Sequence, residues 1–193
     1  AWSSAIAVVP ERLYNITGDA RFIDLAFPAL VKWIGYCEAH SENHLPVRSE
    51  ESWQLGDWLS PEVCAFDLSL MNACWYYYSV AAAERFAKIK GETELNKKFA
   101  EQKKKIAAAI NEKYLDRERA IYGSGVQGEN IFPLYLGIVP ETVKEKLIRG
   151  VRASYEKSDY AIDTGIVITG LLFKTLADNA MADVALKILK RKE

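Results

Sequence analysis

The sequence predicts an all-α fold, an α/α toroid built of helical hairpins, and three observations carry that prediction. Apolar residues recur at helical spacing through nearly the whole chain, and no segment shows the sustained alternation of a strand. Glycine and proline fall between the periodic segments, at Gly18, Gly91, Gly123, Gly125, Gly137 and Pro140, where helices stop and start. Helices poor in charge alternate with helices rich in it. A helix apolar nearly all round is buried on both sides and an amphipathic one on one side only, so the alternation implies an inner and an outer layer.

The first helix rests on Ile6, Val9, Leu13 and Ile16 and ends at Gly18, after which Asp19 suits the N-cap of the second. The second carries Phe22, Leu25, Ala29, Trp33 and Tyr36 on one stripe and stops before a long loop over about 41–61. A third is expected over about 63–90, with Phe66, Leu70, Ala73, Cys74, Tyr77 and Ala81 in register and Gly91 closing it. The fourth buries Leu95, Phe99, Ile106, Ile110 and Tyr114 and turns its lysines to water. A short fifth segment, 127–136, contains Pro133, which should shorten or kink it. Pro140, suited to a first helical position, opens a charged sixth helix on Val143, Leu147 and Val151. The last pair runs from Thr164 to about Leu176 and from Ala180 to about Arg191, with Ile166 to Ile168 read as helix core.

At 193 residues the chain is expected to form a single all-helical domain, 1–193, with a core large enough to need no disulfide or metal. Lys and Arg nearly cancel Asp and Glu, leaving a net charge of −1, and the lysines are interleaved with acids, so nothing suggests a nucleic-acid partner. No apolar run approaches the ~20 residues that span a bilayer, and no leader opens the chain. The reading is a soluble protein, its compartment open. Cys37, Cys64 and Cys74 are odd in number and sit in helical patterns, which favours buried free thiols. His40 and His44 are four apart but lie by the loop containing Pro46, so no metal is expected.

If the inner helices run parallel, the loops leading into the odd-numbered helices open on one face. Those loops hold Trp2-Ser3-Ser4, Trp53-Gln54-Leu55-Gly56-Asp57-Trp58-Leu59, Tyr122-Gly123-Ser124-Gly125-Val126-Gln127 and Asp159-Tyr160-Ala161-Ile162-Asp163-Thr164-Gly165. Flat aromatics that stack on a ring, with carboxylates and amides that take hydroxyl hydrogen bonds, are what a carbohydrate subsite requires. Each piece also has a plainer role. Asp57 and Asp163-Thr164 suit helix caps, Trp2, Trp53 and Trp58 suit plugs at the rim of a core, and Gln127 suits the brace of a turn.

Taken in order, Trp2-Ser3-Ser4-Ala5 through Pro10, Leu13-Tyr14, Gly18-Asp19, Gly56-Asp57-Trp58-Leu59, the Tyr122-Gly123…Gln127 turn, Leu136-Gly137-Ile138-Val139-Pro140 and Asp163-Thr164-Gly165 resemble the catalytic domain of bacterial α-L-rhamnosidases, glycoside hydrolase family seventy-eight. The resemblance spans the whole chain and implies an (α/α)₆ barrel that hydrolyses terminal α-L-rhamnose with inversion, using a separated general acid and general base. It places the acid glutamate in an Asp-Glu-Arg-x-Gly-Trp-type motif before the region of Trp2. The base glutamate follows the region of Glu193, near a Thr-x-Trp-Glu-type motif. Neither motif occurs, and eight helices fall short of six hairpins, so the chain is expected to be the middle part of such a barrel, inactive alone and without a catalytic residue of its own.

Carried over by position, Trp2, Asp57, Trp58, Gln127 and Asp163 become the expected substrate-binding residues. The partner is a rhamnose-containing glycan or glycoside, no cofactor is implied, and exposed hairpin edges would favour self-association. Gly128 departs from the family, which commonly has Thr there. Another six-hairpin glycosidase of different sugar specificity and a non-catalytic helical-repeat binding module are the alternatives.

Overall fold

A computed structural model of the protein describes residues 2–47, 56–60 and 66–192. The chain forms two compact units, one of 1–52 and 72–110 and the other of 53–71 and 111–193.

In the first unit a short 3₁₀ turn, Trp2–Ser4, leads into α1 (Ala5–Thr17), which pairs with α2 (Arg21–Ala39) as a helical hairpin. Gly18 ends α1 as predicted: at φ 71° it takes the left-handed cap, and its N–H donates to the Tyr14 carbonyl at 2.7 Å. Ala20, not Asp19, holds the N-cap position of α2, but the Asp19 carboxylate accepts the Arg21 N–H at 3.0 Å and so serves the same orphan amide.

The buried stripe of α2 differs from the predicted one. Ile23, Phe27, Leu30, Ile34 and Cys37 face the core, whereas Leu25 is 80% and Tyr36 56% exposed. Both rows are apolar and lie side by side on the helix, so periodicity alone does not choose between them. Tyr36 instead stacks on Trp33 and on His40, with ring centroids 5.6 and 4.1 Å apart.

After α2 the chain makes a hairpin of β1 (Ser41–Glu42) and β2 (Leu45–Pro46), turned by Asn43 and His44 at positive φ. Such two-residue strands are too short for alternation to register in a sequence. The Nδ1 of His40 hydrogen-bonds the Tyr36 carbonyl at 2.8 Å, and among the described residues no group of acids, histidines and cysteines could hold a metal.

Helix α3 (Leu68–Lys90) begins later than predicted, because Phe66 and Asp67 lie outside it and Asp67 caps it, accepting the N–H groups of Ser69 and Leu70 at 2.7 and 3.1 Å. From Asn72 on it belongs to the first unit, where Ala73, Cys74, Trp75, Tyr76 and Tyr78 through Ala83 are buried nearly all round, as an inner helix requires. Cys37 and Cys74 are buried free thiols, and burial pushes Cys37 up to about 11; Cys64 lies outside the described residues. The Glu11 carboxylate of α1 takes the Tyr78 hydroxyl and the Arg85 guanidinium of α3. Helix α4 (Thr93–Tyr114) is one-sided: it buries Phe99, Gln102, Ile106 and Ile110, and Gln102 donates to the Tyr76 hydroxyl at 2.7 Å.

The second unit opens with the start of α3 and continues from Asn111 through a hairpin of β3 (Leu115–Asp116) and β4 (Ile121–Tyr122) into α5 (Gln127–Leu136). Every residue of α5 from Gln127 to Leu134 is buried. Pro133 sits inside it but does not shorten it, contrary to expectation: the helix runs through to Leu136 and is closed by Gly137 at φ 67°. Helix α6 (Glu141–Lys157) buries Val143, Leu147, Val151 and Tyr155, with Pro140 one position earlier than predicted, at the N-cap. Helix α7 (Ile166–Asp178) packs on α5 and on α8 (Ala182–Lys190). Ile168 is fully buried, as predicted, while Ile166 is exposed. No described helix is long and apolar enough to cross a membrane.

One buried group in this unit is unpaired: the Tyr155 hydroxyl has no hydrogen-bond partner among the described residues. Burial, with the Asp163 charge, pushes the phenol up. Because an unpaired hydroxyl contributes nothing in exchange for its lost hydration, Tyr155→Phe is expected to leave stability unchanged or raise it by up to about 1 kcal/mol, read from the urea midpoint.

Candidate functional site

Three of the four loops predicted to share a face belong to the second unit, and hydrogen bonds join them. The longest connection is made by Asp57, which lies just before Trp58 and is only 2% exposed. Its Oδ2 accepts the Gly165 N–H at 2.6 Å, and its Oδ1 accepts those of Val167 and Ile168 at 3.1 and 3.0 Å. The Trp58 carbonyl takes the remaining amide, Ile166 N–H, at 2.7 Å. Residues 57 and 58 thus satisfy all four amides at the start of α7, from more than a hundred positions away in sequence. A carboxylate at a helix N-terminus is also well placed against the helix dipole.

The junction leaves no room for a side chain at 165. A Cβ on Gly165 would stand 2.2 Å from the Asp57 carbonyl oxygen and 2.3 Å from that of Trp58. Glycine is required here by close approach, not by backbone angle, since its φ is an ordinary −83°.

A second connection joins the loop before α7 to the start of α5. Gln127 Oε1 accepts the Asp163 N–H at 3.1 Å, its Nε2 donates to the Ala161 carbonyl at 2.9 Å, and its own N–H reaches Asp163 Oδ2 at 3.4 Å. Gln127 is buried and both ends of its amide are engaged with backbone. Thr164, also buried, exchanges a 2.8 Å hydroxyl hydrogen bond with Thr169.

A third connection is built by Glu129, which sequence reasoning missed. It is 1% exposed; Oε1 accepts the Asp67 N–H at 2.9 Å, and Oε2 accepts the Ser124 N–H, the Ser124 hydroxyl and the Gly125 N–H at 2.7, 2.9 and 3.0 Å. The signal was there: Glu129 is the third residue of α5, the position from which a glutamate reaches back over the turn before a helix. At Gly123 a Cβ would meet that carboxylate at 2.7 Å, which accounts for glycine there. Gly128 has a packing reason as well, since its Cβ would lie 2.9 Å from the Phe66 ring.

Of the five residues expected to bind substrate, the structure brings four together in this unit, two buried and two at the surface. Asp57 and Gln127 are inside; Asp163 is exposed, and Trp58 is 45% exposed beside exposed Leu59 and Ile166. Trp2 lies in the 3₁₀ turn of the first unit, its side chain outside the described residues, as is Trp53. Burial pushes the Asp57 carboxyl above its ordinary range against the opposing pull of three amides. Asp163 is pushed up by partial desolvation, then by the like charges of Asp57 and Glu129, with the Gln127 N–H opposing. Chemically, the arrangement offers a solvent-facing carboxylate and a solvent-facing indole on two loops that hydrogen bonds tie into one network.

Helical hairpins whose connecting loops are tied together by buried acids define this as an all-α domain of helical hairpins. The family model described as the bacterial α-L-rhamnosidase six-hairpin glycosidase domain matches residues 1–193, and the chain belongs to that family. An α-L-rhamnosidase of Alteromonas sp. (strain LOR) is 24% identical over 97% of this chain and 21% of its own length. One of Streptomyces avermitilis is 26% identical over 99% of this chain and 18% of its own. The chain therefore spans about a fifth of these relatives.

Among solved structures, an α-L-rhamnosidase from Dictyoglumus thermophilum superposes with a TM-score of 0.90 at 26% identity, over 99% of this chain and 22% of that one. The Streptomyces avermitilis enzyme complexed with L-rhamnose superposes at 0.87 and 24% identity, over 98% and 18%. These neighbours are (α/α)₆ barrels, and the hairpins described here form part of that architecture.

Proposed function

We propose that this chain is the middle portion of the catalytic domain of an enzyme that hydrolyses terminal α-L-rhamnose with inversion, and that residues 1–193 serve it as one helical domain. The observation that carries the reading is the pairing of outward-facing Asp163 and Trp58 on two loops cross-braced by buried Asp57 and Gln127. Family membership and a structural neighbour that binds L-rhamnose support it. Asp163 accepts hydroxyl hydrogen bonds from the sugar and Trp58 forms a pocket wall, with Trp2 proposed as a second wall. Asp57 and Gln127 hold these groups in place rather than touching sugar, because their polar atoms are taken up by backbone.

The general acid and base belong to other parts of the enzyme. Asp57 and Glu129 give seven acceptor contacts to protein donors and are shielded from water, so neither suits proton transfer to substrate. The isolated chain is therefore expected to be inactive. Exposed Leu25, Leu186 and Leu189 support its self-association when isolated.

The test is hydrolysis of an aryl α-L-rhamnoside by the full-length protein. Asp163→Asn and Trp58→Ala are each expected to raise KM about tenfold, the scale of one hydrogen bond to a charged group or one stacked ring. Unchanged kinetics in both variants would remove the site. Cleavage of other aryl glycosides but not of the rhamnoside would remove the substrate.

A further inference from the structure

The loop that carries Asp163 contains a backbone feature that its own sequence does not favour. Asp159 and Tyr160, two consecutive residues with full side chains, stand at φ 51° and 60°. The left-handed region is costly for a bulky residue such as Tyr160, less so for Asp159, and the conformation of the tyrosine persists only where the surroundings over-determine it.

Part of the restraint comes from the end of α6. The Tyr160 N–H donates to the Tyr155 carbonyl at 2.7 Å and the Ala161 N–H to that of Ser158 at 3.0 Å. The rest comes from α8 and from Arg191, the residue at its C-cap. Lys187 Nζ donates to the Tyr160 hydroxyl at 2.7 Å and stands 4.8 Å from the centre of the same ring, and Arg191 Nε donates to the Asp159 carbonyl at 3.0 Å. Helix α8 is itself fastened to α6, where Arg152 grips Asp183 through both terminal guanidinium nitrogens and reaches the Ala180 carbonyl at 3.3 Å. On the other flank Gln127 holds Ala161 and Asp163. The loop is thus gripped from α8 at 159–160 and from α5 at 161–163, and Asp163 follows the strained pair by three residues.

We infer that Lys187 and Arg191 are positioning residues of the sugar site: by clamping Asp159 and Tyr160 in the left-handed region they set where the Asp163 carboxylate stands. The inference rests on the reading of Asp163 as a sugar contact. Both basic side chains act from the surface, where such contacts add little to global stability. Their effect is local, on a loop whose relaxed backbone would point Asp163 elsewhere. Substrate recognition in this region accordingly depends on α8.

The experiment uses the full-length protein with an aryl α-L-rhamnoside, comparing the Lys187→Met/Arg191→Met double variant, the conservative Lys187→Arg variant, and both basic changes in an Asp163→Asn background. The double variant is expected to raise KM about fivefold with kcat within about twofold, the scale of one net hydrogen bond, and to keep its thermal midpoint. Lys187→Arg, which still donates to Tyr160, keeps the wild-type KM. In the Asp163→Asn background the double change adds no further rise, because the clamp acts through Asp163. An unchanged KM in the double variant, alongside a raised KM in Asp163→Asn, overturns the clamp while leaving the site reading intact. A lowered thermal midpoint with apparent kcat reduced and KM unchanged shows a merely structural role and overturns it too. No effect of Asp163→Asn removes the site reading and the clamp with it.

Discussion

Replacing Gly165 by alanine is expected to destabilise the protein by at least about 3 kcal/mol and to abolish the order of the loop carrying Asp163. The new methyl group would overlap two carbonyl oxygens at 2.2 and 2.3 Å, those of Asp57 and Trp58. Both are backbone atoms, so no side-chain rotation relieves the contact. Separating the two segments would lengthen the Gly165, Val167 and Ile168 bonds to Asp57 and the Ile166 bond to Trp58 together, since all four share one junction. A shift of the urea unfolding midpoint, with loss of rhamnoside hydrolysis in the full-length protein, is the measurement. A wild-type midpoint would mean that the loop before α7 moves freely relative to residues 57–58.

Removing the carboxylate from the same junction should cost about 3–5 kcal/mol in Asp57→Ala, more than the ~1 kcal/mol of an ordinary N-cap. The excess arises because Asp57 serves three amides, each of which is left without an acceptor in a site that is 2% exposed. The pH dependence has a definite sign. Burial raises the Asp57 carboxyl above the ordinary carboxylate range, so the folded protein holds that proton more tightly than the unfolded chain. Its contribution is complete below the unfolded value and declines as pH rises through the folded one, then stays constant. Comparing urea midpoints of wild type and Asp57→Ala across the carboxylate range isolates the effect: the difference between them narrows as pH rises. A difference that widens instead would show that the three amides outweigh desolvation.

How much of this was legible in the sequence follows from the range over which each signal acts. Helix ends are local, and Gly18 and Gly137 mark them in the structure as they do in the sequence. The face of α2 is not local: its two apolar rows satisfy the helical period equally, and only the neighbouring helices select Ile23–Phe27–Leu30 over Leu25–Trp33–Tyr36. The convergence of the loops around Asp57, Gln127 and Asp163 followed from layer reasoning. What the sequence withheld was the division of labour among them. Asp57 reads as a cap, and it is one, but for a helix beginning at Ile166 instead of the helix that follows it, a pairing no spacing rule specifies. Gln127 reads as the brace of its own turn, but both ends of its amide tie instead to the loop before α7. Glu129 went unnoticed because an acid early in a helix has a routine explanation, and its four donors come from two segments that only the fold brings together.

The central claim is that Asp163, held by this bracing, contacts the sugar. Calorimetric titration of L-rhamnose into the full-length protein and into its Asp163→Asn variant tests it most directly, since binding is read without the chemistry of the acid and base. The expected result is affinity weakened about tenfold in the variant, with an unchanged thermal midpoint. Equal affinity in the two proteins would contradict it.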